Sequence, residues 1–179
     1  MGRVLIAGVL AGLAMFFWET IAHMALPLGE MGLSTLPNEE ATRQLLAAQM
    51  GNADGLYFFP DLRAGGEPSP GPWGMLLYHP QLNFSSAVFA WEVMTELVQG
   101  LALALLISLT AVSDFGKRMT IASLVGLAAA FSTSPSFSIW FGFPLSYTLG
   151  QMLVTFVDYL IAGLVIAALL RPRPVTAPV

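Results

Sequence analysis

Residues Val4–Leu26, VLIAGVLAGLAMFFWETIAHMAL, form an apolar run of 23 residues in which only Glu19 and His23 are ionisable. A helix rises ~1.5 Å per residue, so this run exceeds the ~30 Å hydrocarbon core of a bilayer. Three further runs repeat the pattern, at about 86–111, 119–141 and 147–170. None shows the period-two alternation of a membrane β-strand. In lipid every backbone polar group must be paired internally, which leaves the helix as the spanning form. The expected fold is therefore all-α. It is a polytopic membrane protein, a bundle of four transmembrane helices in a single membrane domain over 1–179. An external loop or cap at 27–85 contains an amphipathic helix and a Pro/Gly-rich loop.

Composition agrees with this reading. Of 179 residues, 56% are hydrophobic and 10% charged, against about a quarter charged in ordinary soluble domains. There is no cysteine, which excludes disulfides, thiolate metal sites and thiol nucleophiles. The net charge is −4. No basic patch is available, so nucleic acid is not an expected partner. The expected partners are the lipid bilayer and, beyond it, other membrane subunits or a homodimer.

Orientation follows from the basic residues. Arg3, Lys117, Arg118, Arg171 and Arg173, five of the seven, fall on one side of the four runs. By the positive-inside rule both termini are cytoplasmic, and 27–85 faces the periplasm or cell exterior of an inner-membrane protein. The first run also has the basic start and apolar core of a signal peptide. Cleavage after Ala25 would put His23 where a small residue is wanted, so a retained span is expected.

Within 27–85, Asn38 followed by Glu39 and Glu40 marks a helix start, and Gly51 a helix end. A short amphipathic helix over 39–50 is predicted, lying on the membrane or on the bundle. Tyr57, Phe58, Phe59, Trp73 and Tyr78 read as interfacial anchors. Pro68, Pro70 and Pro72 argue against regular structure between them. Gly8/Gly12, Gly126/Ala130 and Gly163/Ala167 have the small-xxx-small spacing of close helix packing. Pro135, in FSTSPSFS, should kink or interrupt the third span, with Ser132, Thr133 and Ser134 able to satisfy the freed carbonyls.

The chemistry-bearing residues are Glu19, His23, Glu92, Glu96 and Asp158. Ionisable groups within a span are costly unless paired, neutralised or wetted. Glu19/His23 and Glu92/Glu96 each have i,i+4 spacing and share a helix face. The helix rise puts Glu19 level with Glu96, and His23 level with Glu92, with Asp158 near the centre of the fourth span. Four carboxylates in a low dielectric need a counter-charge or shared protons. Carboxylates with one imidazole suit a divalent ion such as Mn, Fe or Zn. The second copy of a Glu/His motif that di-iron bundles require is missing. His79, in LLYHP, is a possible further ligand at the outer mouth. Hydrogen-bonded carboxyls with a purely structural role are the remaining alternative.

No hydrolase, nucleotide-binding or zinc-protease motif occurs, so no enzymatic activity is assigned. The leading expectation is a small inner-membrane protein whose outer-half Glu/His/Asp cluster binds a divalent metal ion or carries protons or cations. The alternative is a non-catalytic structural or assembly subunit of a larger membrane complex.

Overall fold

A computed structural model of the chain describes residues 1–61, 70–82 and 85–170. The elements are α1 (Gly2–Met24), α2 (Glu39–Met50), β1 (Gly55–Phe59), β2 (Gly74–Tyr78), α3 (Ser86–Leu109), α4 (Phe115–Ser132), α5 (Ser134–Phe141) and α6 (Leu145–Leu169). Four helical stretches are long and apolar enough to cross a membrane: α1, α3, α4 continued by α5, and α6.

The long helices pack as α1 on α3, α1 on α6 and α4 on α6, while α3 meets α4 only sparsely. The small residues flagged by spacing lie at these interfaces. Gly8 and Gly12 lie against the backbone of Gly100–Leu101 and Glu96–Leu97. Gly126 faces Tyr159, and Gly163 faces Ala122. The densest packing brings together Ala7, Ala11 and Met15 of α1, Leu103, Ala104 and Ile107 of α3, Ala122 of α4, and Ala162 and Ile166 of α6.

One end of this assembly, the terminus face, carries the start of α1, the α3–α4 turn and the end of α6. Arg118, buried in the first turns of α4, ties it together. Its Nε donates to the Val112 carbonyl at 2.9 Å, and its Nη1 donates to the carbonyls of Ala167 and Leu170. The last carbonyls of a helix have no intrahelical partner and carry the negative end of its dipole, so a cation there satisfies both.

The opposite end is the cap face. Residues 25–33 fold over the start of α6, where a Cβ on Gly150 would lie 3.0 Å from the Leu28 carbonyl. Helix α2 has the expected bounds: Asn38 Oδ1 accepts from the Ala41 backbone N–H, and Gly51 ends the helix at φ 58°.

One expectation needs correction. The segment after α2 is not devoid of regular structure, so the chain is mostly rather than wholly helical. β1 and β2 form an antiparallel hairpin in which Tyr57 pairs with Leu76, Leu56 with Leu77 and Phe58 with Met75. Such cross-strand aromatic–aliphatic pairs stabilise a ladder. Pro70 and Pro72 lie in the connection, and Pro68 lies outside the described residues. Trp73 anchors the hairpin on the bundle: a Cβ on Gly142 would lie 2.9 Å from its ring. The third span is interrupted just before Pro135, as that residue's place in FSTSPSFS leads one to expect. Thr133 leaves helical geometry at φ −120°, and Pro135 occupies the first turn of α5. Ser132 Oγ returns to the Ala129 carbonyl at 2.7 Å, which satisfies one group freed by the break.

Candidate functional site: a carboxyl cluster between α1, α3 and α6

Glycine sets the helix spacing at this site. A Cβ on Gly12 would fall 2.5 Å from the Glu96 carbonyl oxygen and 2.7 Å from the Leu97 Cα, so the α1 and α3 backbones touch there. Glu96 is thereby level with Gly12, and Glu19 stands seven residues further toward the cap face, ~10 Å along the helix. The level matching of Glu19 with Glu96 expected from span midpoints is therefore displaced by two turns. The reason is that backbone contact at glycine, not the midpoint of the apolar run, fixes the register.

On α6, the Trp18 indole Nε1 donates to the Val154 carbonyl at 3.1 Å. This holds α1 against α6 one turn from Asp158. The Asp158 carboxyl lies within hydrogen-bonding reach of Glu19, and the charges of Glu96 and Glu92 act on it. Glu96 feels both Glu19 and Glu92. Glu19, Glu96 and Asp158 thus approach one another between α1, α3 and α6, stepped in depth rather than level, while Glu92 stays at the exposed flank of α3.

Asp158 and Glu96 are each only 4% exposed. Among the described residues, Asp158 Oδ1 and Glu96 Oε2 are buried side-chain oxygens with no hydrogen-bond partner. The other oxygen of Glu96 accepts from Gln99 Nε2 at 2.9 Å, and Tyr159 Oη donates to Gln99 Oε1 at 3.0 Å. Gln99 is the member that charge-based reading of the sequence misses. It stands three residues from Glu96, on the same helix face.

His23 is tied to its own helix. Its Nδ1 lies 3.0 Å from Glu19 Oε2 and 3.0 Å from the Glu19 carbonyl. Its side chain is 42% exposed and that of Glu19 19%, so this pair forms the outer step of the cluster. Glu92 is exposed at the flank of α3. His79 does not join the others. It pairs with Asp54 at 2.8 Å, in a cleft of about 1090 Å³ between α2 and the hairpin that also takes in Glu40 and Arg43.

The metal reading finds no support in this geometry. Among the described residues no group of three or more His, Asp or Glu side chains is disposed to hold a metal ion. His23 is turned to Glu19, Glu92 to the outside, and the carboxyls are staggered along the helix axes. What the site offers is a set of neighbouring carboxyls with two vacant acceptor oxygens and, among the described residues, no Lys or Arg paired with them. The buried Arg118 is committed to carbonyls at the other end of the helices. Compared with known protein families, curated proteins and solved structures, the chain matches none.

Proposed function

We propose that the chain is a small multi-pass inner-membrane protein whose carboxyl cluster takes up and releases protons. Both termini lie in the cytoplasm, and α2 with the hairpin lies outside. The membrane reading rests on exposure. Of the most apolar stretch of each long helix only 11–33% is buried within the protein. Side chains such as Leu5, Phe17, Leu109, Phe131 and Ile139 face outward, and acyl chains are the medium that covers them without cost.

The proton reading rests on one observation: Glu96 and Asp158, almost fully buried, each hold an oxygen without a donor, beside a third carboxyl. Close carboxyls share protons and release them in coupled steps. A proton needs no ligand cage, so the staggered geometry that suits no metal ion suits it. Ionisable groups inside a span ordinarily serve such relays.

Difference infrared spectroscopy of the purified protein tests this. Acidification should produce a carboxyl C=O band that weakens in Asp158→Asn and in Glu96→Gln. A spectrum identical in wild type and both variants overturns the reading. The topology has its own test because the chain lacks cysteine. In spheroplasts an impermeant maleimide should label Gln49→Cys on α2 and not Lys117→Cys. The reverse pattern overturns the orientation.

A further inference from the structure

We infer that the carboxyl cluster is a blind site, entered from the cap face alone and sealed toward the terminus face, so that it stores protons without conducting them across. This rests on the proposed proton uptake and adds its sidedness.

The polar groups form a descending series from the cap face to just past the middle of the helices. His23 and Glu19 on α1 are part-exposed at the top. Asp158 and Glu96 lie buried below them, and Gln99 with Tyr159 ends the series. Every packed element is accounted for. α3 contributes Glu92 and Glu96, and α6 contributes Asp158 and Tyr159, with Tyr147 at its outer start against Phe143. α5 has no titratable side chain, and α4 has only Lys117 and Arg118, both at the far end. Glu30, in the segment over α6, is exposed.

Below the series, the chemistry changes completely. From Gln99 to Ile107 is eight residues of α3, ~12 Å of helix. Through that depth the buried side chains are Ala7, Leu103, Ala104, Ile107 and Ile166, each 0–2% exposed. A proton moves along hydrogen-bonding groups or ordered water, and buried water needs polar partners. Its buried side chains supply none, its backbone groups are engaged in helices, and the part-buried Ser123 of α4 turns its hydroxyl back to the Met119 carbonyl. The next buried polar side chain inward on this path is Arg118, whose Nε and Nη1 donate to the carbonyls of Val112, Ala167 and Leu170.

Two measurements on the full chain test the seal. In phosphatidylcholine/phosphatidylglycerol vesicles loaded with a pH dye, an imposed pH gradient with valinomycin should decay at the protein-free rate. In native membranes, Glu19→Cys should react with an impermeant thiol reagent applied to the cap face. Ala162→Cys, a near-isosteric change, should react from neither face until the protein is unfolded in hot detergent. Proton flux above the protein-free rate, or labelling of Ala162→Cys from the terminus face, overturns the seal while the infrared band stands. Absence of that band overturns proton uptake itself, whatever the vesicles show.

Discussion

Gly100 of α3 sits so close to Gly12 of α1 that a methyl group at Gly100 would collide with the Gly12 backbone nitrogen and lie 2.8 Å from its Cα. Neither backbone can retreat without moving a whole helix. Gly12→Val or Gly100→Val should therefore destabilise by about 1–3 kcal/mol, the usual cost of overpacking. Thermal unfolding in mild detergent measures it, with Gly2→Ala, which meets nothing within 4 Å, as the neutral control.

Arg118 makes charge-assisted hydrogen bonds to the end of α6 from a buried position. Such bonds contribute about 1.5–3 kcal/mol each. Arg118→Gln should lower the unfolding midpoint and raise amide exchange in the last turn of α6. Lys117→Gln, one residue away and exposed, should leave both unchanged.

Glu96 and Asp158 each bury an oxygen without a donor, a destabilising arrangement retained by a site rather than by a fold. Asp158→Asn and Glu96→Gln should match or exceed the wild-type unfolding midpoint while losing the infrared response. A stability loss of more than about 1 kcal/mol in both, beyond the scatter of surface substitutions, would show that the carboxylates are structural.

Ala111 closes α3 with a left-handed backbone at φ 54°, a position where helices ordinarily place glycine. A side chain there costs roughly 1–2 kcal/mol. Ala111→Gly should raise stability by up to about 1 kcal/mol, once the extra freedom of glycine in the unfolded chain is deducted. Equilibrium denaturation reads the gain.

The hairpin is held to the helices where the Trp73 ring covers Gly142, itself left-handed at φ 70°. Trp73→Ala should release β1 and β2, seen as faster amide exchange at Leu56–Phe58 and Met75–Leu77. Exchange in α1 and α6 should not change.

Much of this architecture is legible in the sequence because a bilayer imposes a length rule. Helix bounds near Met24, Leu109 and Leu169 follow from where the apolar runs stop, and α2 from Asn38 and Gly51. The five ionisable residues stand out against an apolar background, and of the carboxylates among them Glu19, Glu96 and Asp158 approach one another while Glu92 stays at the exposed flank. Their relative depth is not legible, because it depends on which glycine touches which backbone, a tertiary fact absent from any single run. The hairpin escapes notice because GLYFF and GMLLY are short apolar stretches without a clear period, and strand formation depends on their pairing with each other. Arg118 reads as one more positive charge beside the third span. Only its burial against α6 reveals it as a cap.

The pairing of His23 with Glu19 along a single helix bears on assembly order. About sixty residues separate the end of α1 from the start of its main partner α3, and α6 is made last. During synthesis α1 must therefore wait alone with an acidic group in its outer half. The imidazole one turn away gives that acid a neighbour from the outset, which lowers the cost of its early insertion. Glu96 has only the neutral Gln99 amide on its own helix, and Asp158 has no basic residue one turn away on α6. They emerge after a polar foothold already exists on α1, so docking of the later helices can complete a cluster that the first one begins.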